Sequence, residues 1–305
     1  MKQLRAKRMT KAKMRAALGV IGGSGLYEME GLREVQKVQV RTPFGAPSDA
    51  IMVGILDETK VAFLSRHGRG HHLHPGEINY RANIYALKSL GVTQVISVSA
   101  VGSMKESIRP GDVVFPDQFI DLTKQRDSTF FEGGMVAHVA FGEPVCGTLS
   151  RTLVSTGQRL DATFHPGGTY LCMEGPQFST KSESRLYRAW GVDVIGMTNM
   201  PEVKLAREAE LCYATMALVT DYDCWHETED AVTVEAILAT LHQNVALAKR
   251  LLKTSAPSLA ALPPCVCQQA LTNAIVTAPT SIPATVRKRL GLLTRRVMSP
   301  QKGAR

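Results

Sequence analysis

The chain has 305 residues, 44% of them apolar, and none of its apolar runs is long enough for a membrane-spanning helix, so an integral helical membrane protein is excluded. No signal-peptide pattern opens it, and its length suits one large domain or two small ones; a soluble cytoplasmic protein is expected. The net charge of +9 sits at the ends: residues 1–15 and residues 281–305 each hold seven Lys or Arg and no acid, which leaves a net acidic body.

Basic ends can touch nucleic acid, but neither contains an aromatic on which a base could stack. The reading is therefore a basic N-terminal tail over 1–15, a single domain over 16–271 and a disordered basic C-terminal tail over 272–305, with nucleic acid and membrane both unlikely partners.

In chain order, Ala17–Ile21 is a short apolar strand running into Gly22-Gly23-Ser24-Gly25. Ile51–Ile55 and Val61–Leu64 form a hairpin-like pair around Asp57-Glu58. Asn79–Leu90 has helical periodicity and stops at Gly91. Val95–Val98 is an apolar strand ending at Ser99, and Val113–Pro116 is another. Leu149–Arg159 is helical, Gly168–Met173 a strand, and Lys181–Trp190 a helix closing at Gly191. Val192–Ile195, a helix around Pro201–Leu211, the strand Tyr213–Val219 and a long amphipathic helix over Ala231–Leu252 complete the set. This alternation implies a three-layer α/β domain with a largely parallel sheet.

The chemistry collects where strands end. Asp221 and Asp223 follow the Tyr213–Val219 strand, and ligands of open α/β sheets bind beyond the carboxyl ends of strands. At i and i+2 on extended chain two carboxylates point the same way. Such a pair can hold an amino-bearing heterocycle, and one member, its pKa raised by burial, can deliver a proton. Taken alone, Asp-Tyr-Asp reads equally as an Asx turn or a helix cap. Gly22-Gly23-Ser24-Gly25 can present N–H groups and a hydroxyl to an anion, but lacks the third glycine of a dinucleotide fingerprint and the Lys-Ser/Thr of a P-loop. Arg66-His67 supplies guanidinium and imidazole suited to phosphate. Ser99-Ala100-Val101-Gly102-Ser103 allows close approach to backbone. Met173 to Phe178 and Gly196-Met197-Thr198 end further strands, all read as lying at the same edge.

Cys146, Cys172, Cys212 and Cys224 read as buried reduced thiols. Cys265-Val-Cys267 can bind metal or form a strained disulfide; no second pair stands at zinc-finger spacing, and no metal is expected. His71, His72 and His74 lack a carboxylate ligand in register.

Taken in order, Gly19–Leu26, Thr42–Ser48, Arg66–Arg69, Asn79–Asn83, Gln118–Asp121, Glu174–Pro176, Met197-Thr198, Pro201-Glu202 and Thr220–Trp225 resemble the purine nucleoside phosphorylase family, and within it the S-methyl-5′-thioadenosine phosphorylases, from about Leu18 to Ser255. The resemblance implies a three-layer nucleoside phosphorylase fold with a central mixed sheet flanked by helices. It implies a phosphate site at Ser24, Arg66, His67, Ser99, Ala100 and Thr198, with Ser24 and Ser99 standing where the family often has threonine. Phe178 and Met197 would pack on base and ribose, and His138 would reach a neighbouring subunit's site. Asp221 would protonate N7 while Asp223 reads the 6-amino group. Ser179, Val234, Ile237 and Leu238 would set specificity for the 5′-methylthio group. It further implies a homotrimer or homohexamer, with inorganic phosphate as co-substrate and no cofactor or metal. Two alternatives remain: a broader purine nucleoside or methylthioinosine phosphorylase, and a non-enzymatic nucleoside sensor or nucleic-acid binder.

Overall fold

The computed structural model describes residues 16–28, 30–226 and 234–298, with backbone alone at Ser24, Tyr27 and 234–239. The N-terminal tail expected over 1–15 lies outside the described residues.

Eleven strands form one mixed sheet: β1 (Leu18–Gly22), β2 (Leu32–Val38), β3 (Ile51–Leu56), β4 (Thr59–Ser65), β5 (Gln94–Ser103), β6 (Val113–Phe115), β7 (Gln118–Asp121), β8 (Phe164–Pro166), β9 (Thr169–Cys172), β10 (Val194–Gly196) and β11 (Cys212–Asp221). The main path runs β2-β3-β4-β1-β5-β10-β9-β7, and a branch leaves β5 through β11 to β6 and β8. The helices are α1 (Tyr80–Ser89), α2 (Gly147–Gly157), α3 (Lys181–Ala189), α4 (Asn199–Glu208), α5 (Val234–Ala260) and α6 (Ala284–Met298).

Side-chain alternation along the central strands builds the layers. Ile21, Val95, Tyr213, Ala217 and Val219 face one core with Leu87 of α1, Val203 of α4 and Leu290 of α6. Their neighbours Val20, Ile96, Ala214, Met216 and Leu218 face the other, with Leu153 of α2 and Leu251 of α5. Strands buried on both faces read as continuous apolar runs, which is why β1 and β11 stand out in the sequence. Local signals fix the ends of α1: the Asn79 side chain accepts from the Ala82 N–H at 3.0 Å, and Gly91 at φ 86° stops it.

Two expectations change, and one strand, β2, is not among those expected from the sequence. β5 does not stop at Ser99 but continues to Ser103, because β11 pairs with it as far as Gly102 and β10 pairs antiparallel with Gly102 and Ser103. β2 has no apolar alternation, since it is an exposed edge strand bonded only to β3. The domain does not end at Leu271, and residues 272–298 are not a disordered tail. Val286, Leu290 and Leu293 of α6 are buried, while Arg287, Lys288, Arg289, Arg295 and Arg296 ride its outer side; charge density masked an amphipathic period. Arg296 pairs with Glu210, whose carboxylate also accepts from the Leu271 N–H at 2.9 Å.

Candidate active site

β1, β4, β5 and β11 run parallel, so their carboxyl ends share an edge. β9 and β10 run the other way relative to β5, contrary to the expectation of one common edge. They still reach the site, because β5 overshoots: Ile195 lies opposite Gly102, and the chain leaving β10 runs back along β5. Gly196 makes this passage possible, since a Cβ there would collide with the Tyr170 hydroxyl.

Under this edge lies a buried ion pair. The Arg66 Nε donates to Glu202 Oε2 at 2.8 Å and Nη2 to Oε1 at 3.1 Å. Nη1 donates to the Val98 carbonyl at 2.9 Å, and Nη2 also to Ser97 Oγ at 2.6 Å. Tyr213 Oη donates to Glu202 Oε1 at 2.8 Å. Burial opposes the charge, but Glu202 overrides it and holds the guanidinium above its ordinary pKa. The planar fork expected to face phosphate therefore faces Glu202. Arg66 is 2% exposed; what it offers an anion is its positive field.

Around it stand the other residues of the expected phosphate set. The Arg66 N–H donates to the Gly22 carbonyl at 2.9 Å, joining the glycine turn to the end of β4. The side chain of Ser24 lies outside the described residues. Ser99 is buried, with Oγ 3.4 Å from Asn199 Oδ1, and Ala100 is open to solvent. Thr198 directly precedes α4, whose first turn is broken at Met200 (φ −107°, ψ 131°), and its side chain makes no capping bond. Among the described residues its hydroxyl is buried with no hydrogen-bond partner. A buried hydroxyl normally finds a partner, and an anion seated at this edge would supply one. His67 Nδ1 lies 2.9 Å from the Leu73 carbonyl, and its ring stacks on His71 at 4.1 Å. Burial, and then the Arg66 charge, lower its pKa to about 4. Neutral, with Nδ1–H donated to Leu73, the ring presents Nε2 as an acceptor for a hydroxyl or a protonated phosphate oxygen.

The Asp pair is a turn as well as a candidate recognition element. Asp221 Oδ1 accepts from the Asp223 N–H at 2.8 Å and Oδ2 from Thr220 Oγ1 at 2.7 Å. Strand alternation does not align the two carboxylates, since β11 ends at Asp221 and Asp223 sits in a tight turn at φ 55°. Gly102 brings them together: a Cβ there would lie 2.9 Å from Asp221 Oδ1 and 3.4 Å from Asp223 Cβ. Asp223 accepts from Ser184 Oγ of α3 at 2.6 Å. Burial, assisted by Asp221, raises its pKa against that hydrogen bond. The two carboxyls thus differ, one anchored by donors and the other primed to hold a proton.

Met197 lies against Gly175. Phe178 is 57% exposed, a high value for an aromatic with no partner to cover. Ser179 Oγ points at the Met173 sulfur, 3.8 Å away, and its carbonyl accepts from the Cys224 thiol. Val234, Ile237 and Leu238 fall on α5, but their side chains lie outside the described residues. His138 is apart from this group on an exposed loop, its N–H donated to the Ala274 carbonyl at 2.9 Å.

Sequence reasoning missed Ser184 and Arg126. The Arg126 guanidinium, 2% exposed, donates to the carbonyls of Glu174, Met197 and Met200, to Tyr80 Oη and to Glu174 Oε1. It fastens the exits of β9 and β10 together. Nothing near Arg126 in the sequence signals this, because all its partners are distant.

This edge gathers a buried cation, an unpartnered buried hydroxyl and two unequal carboxyls, groups whose chemistry suits an anion and a polar heterocycle. The chain belongs to the phosphorylase superfamily, whose sequence profile matches residues 17–256. Within it, the chain is 58% identical over 281 residues to S-methyl-5′-thioadenosine phosphorylase of Geobacter sulfurreducens, covering 92% of this chain and 98% of that one. It is 54% identical over 289 residues to the S-methyl-5′-thioadenosine phosphorylase of Koribacter versatilis, covering 95% and 99%. Among solved structures, a methylthioadenosine phosphorylase from an antarctic soil metagenomic library superposes with a TM-score of 0.88 at 48% identity, covering 92% of this chain and 99% of that one. The Schistosoma mansoni methylthioadenosine phosphorylase in complex with adenine gives 0.78 at 33% identity, covering 92% and 98%.

Proposed function

We propose that the chain catalyses phosphorolysis of S-methyl-5′-thioadenosine to adenine and S-methyl-5-thio-α-D-ribose 1-phosphate, a pentosyl transfer of methionine and purine salvage. The observation that carries this reading is the Asp221–Asp223 turn, with its unequal carboxyls packed on Gly102 at the same edge as the Thr198 hydroxyl and Arg66. Positive charge builds on the ribosyl ring as the glycosidic bond breaks, and a phosphate held beside it stabilises that charge before attacking C1′. The leaving purine takes a proton at N7. Asp221 is the proposed donor and Asp223 the reader of the 6-amino group; the raised pKa of Asp223 makes it the member that retains a proton more readily in the free protein, so the pair acts as one coupled unit.

In this mechanism phosphate is a co-substrate, and no cofactor or active-site metal takes part. His138 is proposed to complete a neighbour's site in a trimer or hexamer, and the protein to work in the cytoplasm; no helix among the described residues is long and apolar enough to cross a membrane. Val234, Ile237, Leu238 and Ser179 are proposed to enclose the methylthio group, with Phe178 and Met197 against base and ribose. Structures at 33% identity described as adenosine/methylthioadenosine phosphorylase favour adenosine as a second substrate to examine.

The test is adenine release from methylthioadenosine, adenosine, inosine and methylthioinosine, with and without phosphate. Negligible turnover without phosphate and preference for the two 6-aminopurines are expected; equal rates in both buffers would identify a hydrolase. Thr198→Val keeps the side-chain shape and removes the hydroxyl, so it should raise the phosphate KM with a smaller change in nucleoside KM.

A further inference from the structure

At the amino end of β11, on the sheet edge away from the proposed active site, four cysteines meet. The sulfurs of Cys146, Cys212, Cys265 and Cys267 all lie within 4.8 Å of one another, and Cys146 Sγ is 3.6 Å from Cys265 Sγ. Each is a free thiol. Cys146, Cys212 and Cys267 are buried and Cys265 half-buried. Cys265-Val-Cys267 lacks a second pair in sequence; folding supplies one. Cys146 caps the N-terminus of α2, and its N–H donates to the Tyr213 carbonyl at 2.8 Å, which holds it beside Cys212.

We propose that these four cysteines form a structural zinc site. Zinc in such sites is tetrahedral with Zn–S of about 2.3 Å, so neighbouring sulfurs stand about 3.8 Å apart. Cys146 and Cys265 stand 3.6 Å apart and no two of the four sulfurs are more than 4.8 Å apart, a spread that fits this geometry. A disulfide would draw its two sulfurs to about 2.05 Å, whereas Cys146 and Cys265 stand 3.6 Å apart and all four cysteines are free thiols. Binding converts four thiols and Zn²⁺ into a tetrathiolate complex of net charge −2, with four protons released to solvent. The surroundings suit that charge. Cys146 stands at the positive end of α2, and Arg151 and Arg207 line the adjoining cavity of about 800 Å³. Cys146, Cys265 and Cys267 form part of that cavity's wall, which gives an ion a path in. The Cys-x-Cys spacing is one residue shorter than the usual zinc knuckle; the ligands from α2 and β11 complete the set without a second knuckle. The ion would fasten the chain after α5 to β11 and α2, a staple from the returning C-terminal segment to the central sheet.

The full-length protein is purified under reducing conditions, dialysed and measured for metal by mass spectrometry, with thiols counted after denaturation in parallel. About one zinc per chain is expected. Cobalt titrated into the metal-free protein should give the intense near-ultraviolet sulfur-to-metal band and the visible bands of tetrahedral thiolate coordination, lost on adding zinc. Cys265→Ser should lose stoichiometric zinc, whereas Cys172→Ser, outside the cluster, should keep it. Cobalt spectra on the wild-type chain make the assignment independent of whether any variant folds. Four reactive thiols with neither zinc nor cobalt binding would overturn the proposal. So would an intact mass lowered by the hydrogens of one or two disulfides in protein never exposed to chelator, or stoichiometric iron in place of zinc.

Discussion

At its carboxyl end β11 delivers Asp221 into a turn of polar groups, whereas at its amino end Cys212 meets three sulfurs brought from other parts of the chain. The ends are roughly 30 Å apart along one ten-residue strand. The first is assembled from short turns following parallel strands and carries an unpartnered hydroxyl, a carboxyl with a raised pKa and a left-handed Asp. The second is dense and apolar, its buried thiols belonging to the same core as Leu259 and Ala256 of α5. A single strand can therefore serve as a chemical edge at one end and an anchor at the other, and substitutions should separate accordingly: activity from one end, stability from the other.

The largest expected effect tests the chemical end. Asp221→Asn combined with Asp223→Ala should lower kcat/KM for methylthioadenosine by about two to four decades, the usual contribution of a positioned general acid, and shift preference toward 6-oxopurine nucleosides. The unfolding midpoint should move little. Steady-state kinetics beside a urea titration check both halves. Wild-type kinetics in this variant would reduce the pair to the Asx turn it also forms, and the comparison would fail.

Glu202→Ala marks where the two behaviours overlap. It strips the partner from a guanidinium that is 2% exposed, and an uncompensated buried charge costs about 3–5 kcal/mol. Chemical denaturation should show that loss together with a raised phosphate KM. Full stability in this variant would mean that Arg66 finds solvent, contrary to its hydrogen-bond set.

At the anchoring end, Leu259→Ala should cost about 2–5 kcal/mol in denaturant unfolding, as other large-to-small core changes do, with kcat/KM for methylthioadenosine at the wild-type value. A drop in turnover with unchanged stability would join the two ends energetically.

The smallest effect is a pH slope. His67 is held at a pKa of about 4 against an ordinary 6.5, so between those values the unfolded chain binds the extra proton. Stability from this residue is fully present above about pH 6.5 and is lost as pH falls toward 4. Asp223, raised above its ordinary value, and Glu208, raised to about 6 by burial, work in the opposite sense in the acid range. Comparing the stability–pH curves of wild type and His67→Asn isolates the His67 part, at most about 3 kcal/mol. Parallel curves would show that the imidazole protonates freely in the folded state.

The contrast between the two ends also explains what the sequence revealed. Gly22–Gly25, Arg66-His67 and Asp221–Asp223 are contiguous, and each follows an apolar strand, so their place at an edge can be read from local pattern. The alternation of strands and helices, the hairpin around Asp57-Glu58 and the limits of α1 and α3 are legible for the same reason, whereas the local pattern implies a largely parallel sheet and only the family resemblance implies the mixed one. Thr198 and Ser99 were found, but their meeting depends on β10 running against an extended β5, which no local signal encodes. Ser184, Arg126 and the partners of Cys265 and Cys267 gain meaning only from segments far away in the chain. α6 is in plain view as a period of Val286, Leu290 and Leu293, obscured by three basic residues among them and two just after. Arg66 ends its strand at the expected edge but turns its fork to Glu202, because sequence cannot tell a guanidinium facing a ligand from one facing a buried carboxylate.

Arg126 has a consequence for how the protein breathes. Its guanidinium ties carbonyls of the β9 exit and of the Met197–Met200 segment to a single side chain. Neither segment can open to solvent without giving up a charge-assisted bond inside a buried setting. Their amides should then exchange with deuterium as one correlated unit, at a common rate set by release of the clamp, rather than as two loops fraying independently. Substrate entry that parts Met197 from Gly175 would register at Glu174 and Met200 in the same event, so the walls of the site open together or not at all.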